Sequence, residues 1–370
     1  DPATDGPLRA IARLFTTADI RHRLRMRKAE PLPSSAPAAM QPGENGERDR
    51  RVLGLRSAHF IPASAARHGE ADALKPPRLS IGAPPRSAQL RASVITATRD
   101  APKHLSLFLS TLRRTDFEDL ELVLVDNGTT DPGALALLSA AKTAQSQTVI
   151  VDDRPFNFSA LSNLGAAQAS GDVLVFANND IEFSDPTWLR ALLAPFDAPR
   201  VGAAGARLTY PDGRVQHAGI VLAGEARVRH AERFSPGRRD GYWGRQRGVT
   251  AVSAVTGALF ATRRHLFRSL GGFDAGRYGT LYNDVDYCLR LRAAGHDVVL
   301  AGDARAIHHE SVTIGPPKSP GLFSRGGPAW RQARSDEADR FRQDWASTID
   351  DDPCYPGLYD PLEAAFRTTF

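Results

Sequence analysis

The sequence predicts an α/β fold: a mostly parallel sheet with helices on both faces, carrying N- and C-terminal extensions. Three observations predict it. Short runs of consecutive apolar residues recur between residues 92 and 177, segments of helical period separate them, and two of the runs end in Asp or Asn. Strands covered on both faces read as unbroken apolar runs, because the flanking helices leave neither face to water.

Residues 92–97, Ala-Ser-Val-Ile-Thr-Ala, form the first β-rich run. Residues 103–114 follow as a helix with Leu105, Phe108, Leu109 and Leu112 on one face, the spacing of a buried helical stripe. Residues 120–125 are a second strand, ending at Asp126-Asn127-Gly128. Residues 132–144 form a second helix, 148–151 a third strand, and 159–169 a third helix closed by Gly171. Residues 172–177 are a fourth strand, ending at Asn178-Asn179-Asp180. In such sheets ligands bind beyond the carboxyl ends of the strands, so the polar residues just past those ends are the candidates for chemistry.

The chain has 370 residues, 42% of them hydrophobic, enough for one large core and a smaller appendage. Its net charge of +5 is uneven: residues 1–90 hold 15 Lys or Arg against 9 Asp or Glu, leaving 32 against 33 elsewhere. The basic character therefore belongs to an N-terminal extension over residues 1–90. That extension holds an amphipathic segment (Leu8, Ile11, Ala12, Phe15), a basic cluster from Arg21 to Lys28, and a Pro/Ala-rich linker over 31–90. The expected state is a solvated, partly disordered tail, with peripheral contact to an anionic membrane surface as the alternative. Nucleic acid is disfavoured as a partner, because no aromatic residues interleave with the basic cluster.

Cys288 and Cys354 make neither a disulfide framework nor a metal pattern, which fits a reducing, cytoplasmic compartment. No apolar run approaches the ~18–20 residues that cross a bilayer, and no signal peptide is visible. The expectation is a soluble protein, or one peripheral at the inner face of the membrane. The first residue is Asp1 and not Met, as in a processed or excised piece of a longer chain. After Ser311 the composition turns to Gly, Pro and Ser, then to a helix over 329–345, so residues 312–370 read as a partly helical C-terminal extension.

Three constellations carry chemistry. The run Val173-Leu174-Val175-Phe176-Ala177-Asn178-Asn179-Asp180 ends in two amides and a carboxylate at the ligand edge. Asp180 suits a hard divalent cation, which takes oxygen ligands; a plain Asx turn is the other reading. Asp126 brings a second carboxylate from a neighbouring strand to the same crevice. Asp284 and Asp286 stand in the first turn of a helix that ends near Gly295. They either complement the helix dipole or supply a general base for an acceptor hydroxyl. Downstream, His308-His309-Glu310 adds ligand candidates for metal or phosphate.

These segments, in this order, resemble glycosyltransferase family 2, the inverting GT-A enzymes, and most of all its bacterial rhamnosyltransferase-like, cell-envelope branch. The resemblance covers residues 93–311. It is carried by Ser93-Val94-Ile95-Thr96, Val125-Asp126-Asn127-Gly128, Phe156-Asn157-Phe158-Ser159 with Asn163, and Asn178-Asn179-Asp180. Gln216-His217-Ala218-Gly219, Thr256-Gly257-Ala258, Gly271-Gly272-Phe273-Asp274, Asn283-Asp284-Val285-Asp286 and His308-His309-Glu310-Ser311 complete it.

The resemblance implies a GT-A domain over residues 91–311 using Mn²⁺ or Mg²⁺ and a UDP-, GDP- or dTDP-sugar. It implies that Thr96 and Arg99 line the nucleotide pocket and that Asp126 contacts base or ribose. Asn163, Asn178 and Asn179 fall on the donor side, Asp180 and His308 at the metal, with His309 as the competing ligand, and Asp284 at the base. Asn178 stands where the family has the first Asp of its D-x-D element, and Asn283 where it has Glu.

The Gln-x-x-Arg-Trp element of processive synthases is absent, since neither Trp330 nor Trp345 follows Arg. The implied reaction is non-processive transfer to a glycan or lipid-linked glycan. A sugar nucleotidyltransferase is disfavoured, because Thr96-Ala97-Thr98-Arg99-Asp100 lacks the glycines of a phosphate loop. A catalytically weakened GT-A domain serving as a glycan-binding or scaffolding module is the competing class.

Overall fold

A computed structural model describes residues 90–223, 227–309 and 328–355. The amphipathic segment, basic cluster and linker expected before residue 90 lie outside the described residues.

The first half alternates strand and helix as read: β1 (Ala92–Thr98), α1 (Pro102–Leu112), β2 (Leu120–Asp126), α2 (Pro132–Lys142), β3 (Gln147–Val151), α3 (Phe158–Gln168) and β4 (Val173–Ala177). Then come β5 (Ile181–Glu182), α4 (Trp188–Leu193), β6 (Val201–Thr209), β7 (Val215–His217), β8 (Ile220–Ala223), β9 (Arg227–His230), β10 (Val249–Ala251) and β11 (Leu259–Arg263). The last elements are α5 (Arg264–Ser269), α6 (Asn283–Ala293), β12 (Asp297–His308) and α7 (Pro328–Asp350), whose helical geometry breaks at Trp345. Among the described residues, no helix is long and apolar enough to cross a membrane.

The main sheet runs β10-β12-β6-β11-β4-β1-β2-β3, with β5 added on β12 and β7 on β6; β8 and β9 pair by themselves. Six of the eight strands along that order point one way, and β10 and β11 are reversed. The mostly parallel sheet read from the sequence is therefore present. The reversal of β11 was not in that reading, because its five residues carry no mark of direction.

Alternate residues of each central strand enter opposite cores, as the two-residue strand period requires. Val94, Leu122, Leu124, Val173 and Val175 pack with α1, α2 and α4, while Ile95, Val123, Leu174 and Phe176 pack with α3, α5 and α6. Each such side chain contributes about 1.5–3 kcal/mol by leaving water. The chain runs outward from β1 to β3, then returns over α3 to place β4 on the other side of β1. Loops after β1 and β4 thus part at the carboxyl edge, leaving a crevice at the switch point.

α3 approaches β1 closely at Gly165, where a Cβ would stand 2.5 Å from Ile95 Cγ2 and 3.1 Å from Val125 Cγ2. Gly165→Ala is expected to destabilise the fold by about 1–3 kcal/mol through overpacking. An unchanged denaturation midpoint would count against this close packing of helix on sheet.

Candidate functional site

The walls of the crevice are set by register. Thr98, the last residue of β1, pairs with Asp126, the last of β2. Thr98 Oγ1 accepts a hydrogen bond of 3.0 Å from Asn179 Nδ2, tying the end of β1 to the loop after β4. Arg99 follows with its side chain 59% exposed at the rim. Asp100 and Ala101 both take left-handed backbone angles, φ 50° and 52°. Asp100 Oδ1 accepts the Thr130 and Asp131 N–H groups at 2.7 and 2.9 Å. Burial raises its carboxyl, but those hydrogen bonds outweigh burial and hold it below the ordinary range. Asp126 is buried, and its Oδ1 accepts Thr129 N–H at 3.0 Å.

β5 leaves Asp180 and pairs with the end of β12, Ile181 opposite His308. That register sets the Asp180 carboxylate beside the His308 ring, Oδ1 3.1 Å from Nε2. Nδ1 of the ring lies 2.9 Å from Gln216 Oε1. A carbonyl oxygen only accepts, so Nδ1 donates there and Nε2 is the ring nitrogen left for Asp180 or a cation. Asn178 Nδ2 lies 3.4 Å from Nε2 on the same side. Asp180 Oδ1 is buried, with the His308 ring nitrogen as its polar neighbour. Burial raises the Asp180 carboxyl, but the His308 ring, when Nε2 carries a proton, donates to it and holds it below the ordinary range.

Once Nε2 gives up its proton, two lone-pair atoms converge at a separation that suits adjacent ligands of one divalent cation. Asp180 and His308 fit a divalent ion on this ground. Among the described residues no group of three or more His, Cys, Asp or Glu side chains forms a metal cage, so an ion here would draw its other ligands from phosphate oxygens or water. His309 is turned elsewhere: its Nε2 meets Glu182 Oε2 at 2.8 Å, and its backbone N–H donates to Asp180 O.

Across the crevice, Asp284 stands in the first turn of α6, just after Tyr282 in a left-handed conformation. Its Oδ2 accepts Gly257 N–H at 2.6 Å and its Oδ1 accepts Val285 N–H at 2.8 Å. Burial prevails over these bonds and raises its carboxyl above the ordinary value. The next residue after Gly257 is Ala258, whose carbonyl accepts Asn178 N–H at 2.9 Å. One short backbone segment therefore joins the two acidic sites. Asp286 is occupied differently, by Arg290 Nε at 2.8 Å and Trp345 Nε1 at 3.1 Å.

Two of the expected donor-side residues stand away from the open crevice. Thr96 is fully buried inside β1 and presents no surface to a nucleotide; Thr98, one strand period later, reaches the edge. Asn163 is spent on structure: its Nδ2 donates to Phe273 O at 2.8 Å and its Oδ1 accepts Phe273 N–H at 2.9 Å. Both ends of the carboxamide are used, and α3 is locked to the Gly271–Asp274 turn. Gln216 and the Gly257 N–H were missed as individual contributors, although both lie in motifs quoted from the sequence.

Residues 93–267 match the family described as Glycosyl transferase family 2. The chain is 38% identical over 225 residues to the O-antigen biosynthesis protein RfbC of Myxococcus xanthus, covering 60% of this chain and 18% of that protein. It is 35% identical over 268 residues to the uncharacterized protein y4gI of Sinorhizobium fredii, covering 71% of this chain and 28% of that one. The chain thus spans less than a third of the length of both relatives. Similarity to the N-acetylglucosaminyl-diphospho-decaprenol L-rhamnosyltransferase of Mycobacterium tuberculosis is 27% over 246 residues, covering 60% of this chain and 77% of that enzyme. A crystal structure of GalNAc-T7 with UDP, GalNAc and Mn²⁺ superimposes with TM-score 0.56 at 17% identity, over 71% of this chain and 50% of that one. The shared architecture is the GT-A fold.

Asn163→Ala is expected to cost about 1–3 kcal/mol of stability by leaving buried backbone groups unpaired. Calorimetric titration with Mn²⁺ and nucleoside diphosphate should give the wild-type affinity for this variant. A selective loss of nucleotide affinity at unchanged stability would restore Asn163 to the donor site.

Proposed function

Because the chain carries a glycosyl transferase family 2 domain, we propose that it is an inverting, metal-dependent, non-processive glycosyltransferase. It moves a sugar from a nucleotide-sugar donor (UDP-, GDP- or dTDP-linked) to a hydroxyl of a glycan or lipid-linked glycan of the cell envelope. The observation that carries this reading is the opposition of Asp180 and His308 to Asp284 across the Gly257-Ala258 segment. UDP and Mn²⁺ in the GalNAc-T7 structure support the donor and metal classes, and the O-antigen and rhamnosyltransferase relatives support an envelope glycan.

Asp180 and His308 would hold a divalent ion, which supplies Lewis-acid stabilisation of the charge developing on the departing diphosphate. Gln216 keeps the His308 ring in the tautomer whose Nε2 is free to ligate. Arg99 and Asp126, at the ends of β1 and β2, border the nucleotide. Asn179 braces the crevice by its bond to Thr98, and Asn178 carries the amide beside the metal ligands.

Asp284 accepts the proton of the acceptor hydroxyl as its oxygen attacks the anomeric carbon. The bond to the nucleoside diphosphate breaks on the opposite side, so one displacement inverts the configuration. Burial gives Asp284 a raised affinity for that proton, which suits a base that must take it up. Asp286, held by Arg290 and Trp345, is not free for this work.

Release of nucleoside diphosphate from a donor panel, with acid-hydrolysed bacterial envelope glycan as acceptor, tests the reading. Asp284→Asn should abolish transfer, about 10²–10⁴-fold or more, while donor affinity stays near wild type; unchanged turnover would sink the base assignment. Asp180→Ala and His308→Ala should each weaken Mn²⁺-dependent nucleotide binding, whereas His309→Ala should not. Calorimetry with and without metal separates them, and the reverse pattern for the two histidines would reassign the ligand.

The base must be ionised to act, so its raised pKa predicts that turnover climbs with pH only above the ordinary aspartate range. An acid limb at or below that range would exclude Asp284 as the titrating base.

A further inference from the structure

α7 lies beyond the residues that match the family, yet it grips the segment leading into Asp284. Glu337 is buried, and its Oε1 and Oε2 accept the Thr280 and Leu281 N–H groups at 3.0 and 2.6 Å. Asp344 receives Arg277 through Nε at 2.9 Å and Nη2 at 2.6 Å, and also the Tyr278 hydroxyl at 2.5 Å. Phe341 is fully buried and stacks on Tyr282, ring centres 4.6 Å apart and 18° from parallel. Trp345 donates to Asp286, two residues past Asp284. Four side chains of one helix thus hold residues 277–286 from one side.

The chemistry of these contacts argues for more than adhesion. A buried carboxylate is costly unless its oxygens are hydrogen-bonded, and Glu337 spends both of its oxygens on consecutive backbone N–H groups of one turn. α6 begins without a side-chain cap, after Tyr282 at φ 61°. The direction in which Asp284 leaves the helix is therefore set by how residues 280–282 are held, and Glu337 and Phe341 hold them. Asp286 sits one turn of α6 before Arg290, whose Nη atoms reach Leu270 O and Gly272 O at 2.7 and 2.8 Å. Trp345 reaches the same carboxylate from the opposite helix, so Asp286 anchors α6 to both the Gly271–Asp274 turn and α7.

We propose that α7 is a positioning element of the transfer reaction, with Glu337 and Trp345 as positioning residues that hold the Asp284 carboxylate toward the acceptor hydroxyl. The proposal rests on the reading of Asp284 as the base. It makes the C-terminal segment part of the acceptor side and leaves the metal and nucleotide to the opposite wall.

The test uses the full chain with Glu337→Ala, Trp345→Phe and Asp284→Asn in parallel. Measured are kcat for transfer to acid-hydrolysed bacterial envelope glycan and the calorimetric affinity for UDP, GDP and dTDP with Mn²⁺. Loss of near-attack geometry predicts a fall in kcat of about 10- to 100-fold for Glu337→Ala and Trp345→Phe. Nucleotide affinity should stay within about twofold of wild type, since no donor-side residue is touched.

Unchanged kcat in both variants, beside an inactive Asp284→Asn, overturns the positioning role and leaves the base reading standing. A fall in kcat matched by an equal fall in nucleotide affinity overturns it as well, because that marks general loosening of the fold. If Glu337→Ala does not fold, Trp345→Phe decides alone, as it removes one N–H and keeps a ring in place. An active Asp284→Asn overturns the base reading itself, whatever the other two variants do.

Discussion

Leu259 at the start of β11 pairs with Ala177 at the end of β4, because the two strands run in opposite directions. This reversal brings the segment before β11 to the carboxyl edge of an otherwise co-directional core. A parallel strand in that place would have delivered its leading loop to the far edge of the sheet. Gly257 and Ala258 are therefore at hand for Asp284 and Asn178, and the two halves of the site meet through backbone hydrogen bonds. Backbone donors cannot drift as long side chains do, so the separation of the two acidic groups follows from the sheet itself.

Two aspartates at this edge are driven in opposite directions by their surroundings. Both are desolvated, which by itself raises a carboxyl. The His308 ring, when protonated, reverses the effect at Asp180, whereas the hydrogen bonds at Asp284 only partly offset burial. Groups driven apart in this way are suited to different tasks. An ionised carboxylate beside an imidazole nitrogen suits a cation, and a carboxylate of raised basicity suits a proton. The surrounding amides work on orientation: Gln216 selects the tautomer of His308, and Asn179 spans β4 and β1 through Thr98.

Much of this was legible from local pattern. Asp126 and Asp180 stood out because strand ends follow from the apolar runs, and ligands gather at strand ends. Thr96 lies buried one strand period short of the edge: it shares a face with Thr98, and the sequence does not mark which of the two hydroxyls lies there. Asn163 meets a peptide group, and in sequence an amide looks the same whether it meets a ribose or a peptide group. Its partner, Phe273, is 110 residues away and was invisible until the chain closed. The helix read over 329–345 was present in the pattern, but nothing there indicated that Glu337 and Trp345 would turn toward α6.

The sequence by itself determined the alternation of strands and helices, the burial of both sheet faces, and the places where carboxylates would emerge. Those properties are set by the period and composition of a few neighbouring residues. Only the tertiary structure separates the surroundings of His308 from those of His309, and of Asp284 from those of Asp286. In each pair the two residues are chemically alike and adjacent or nearly so, and the difference lies in distant partners. The register of β5 on β12 turns His308 to Asp180 and leaves His309 to Glu182. Arg290 and Trp345 claim Asp286 and leave Asp284 to the backbone of Gly257.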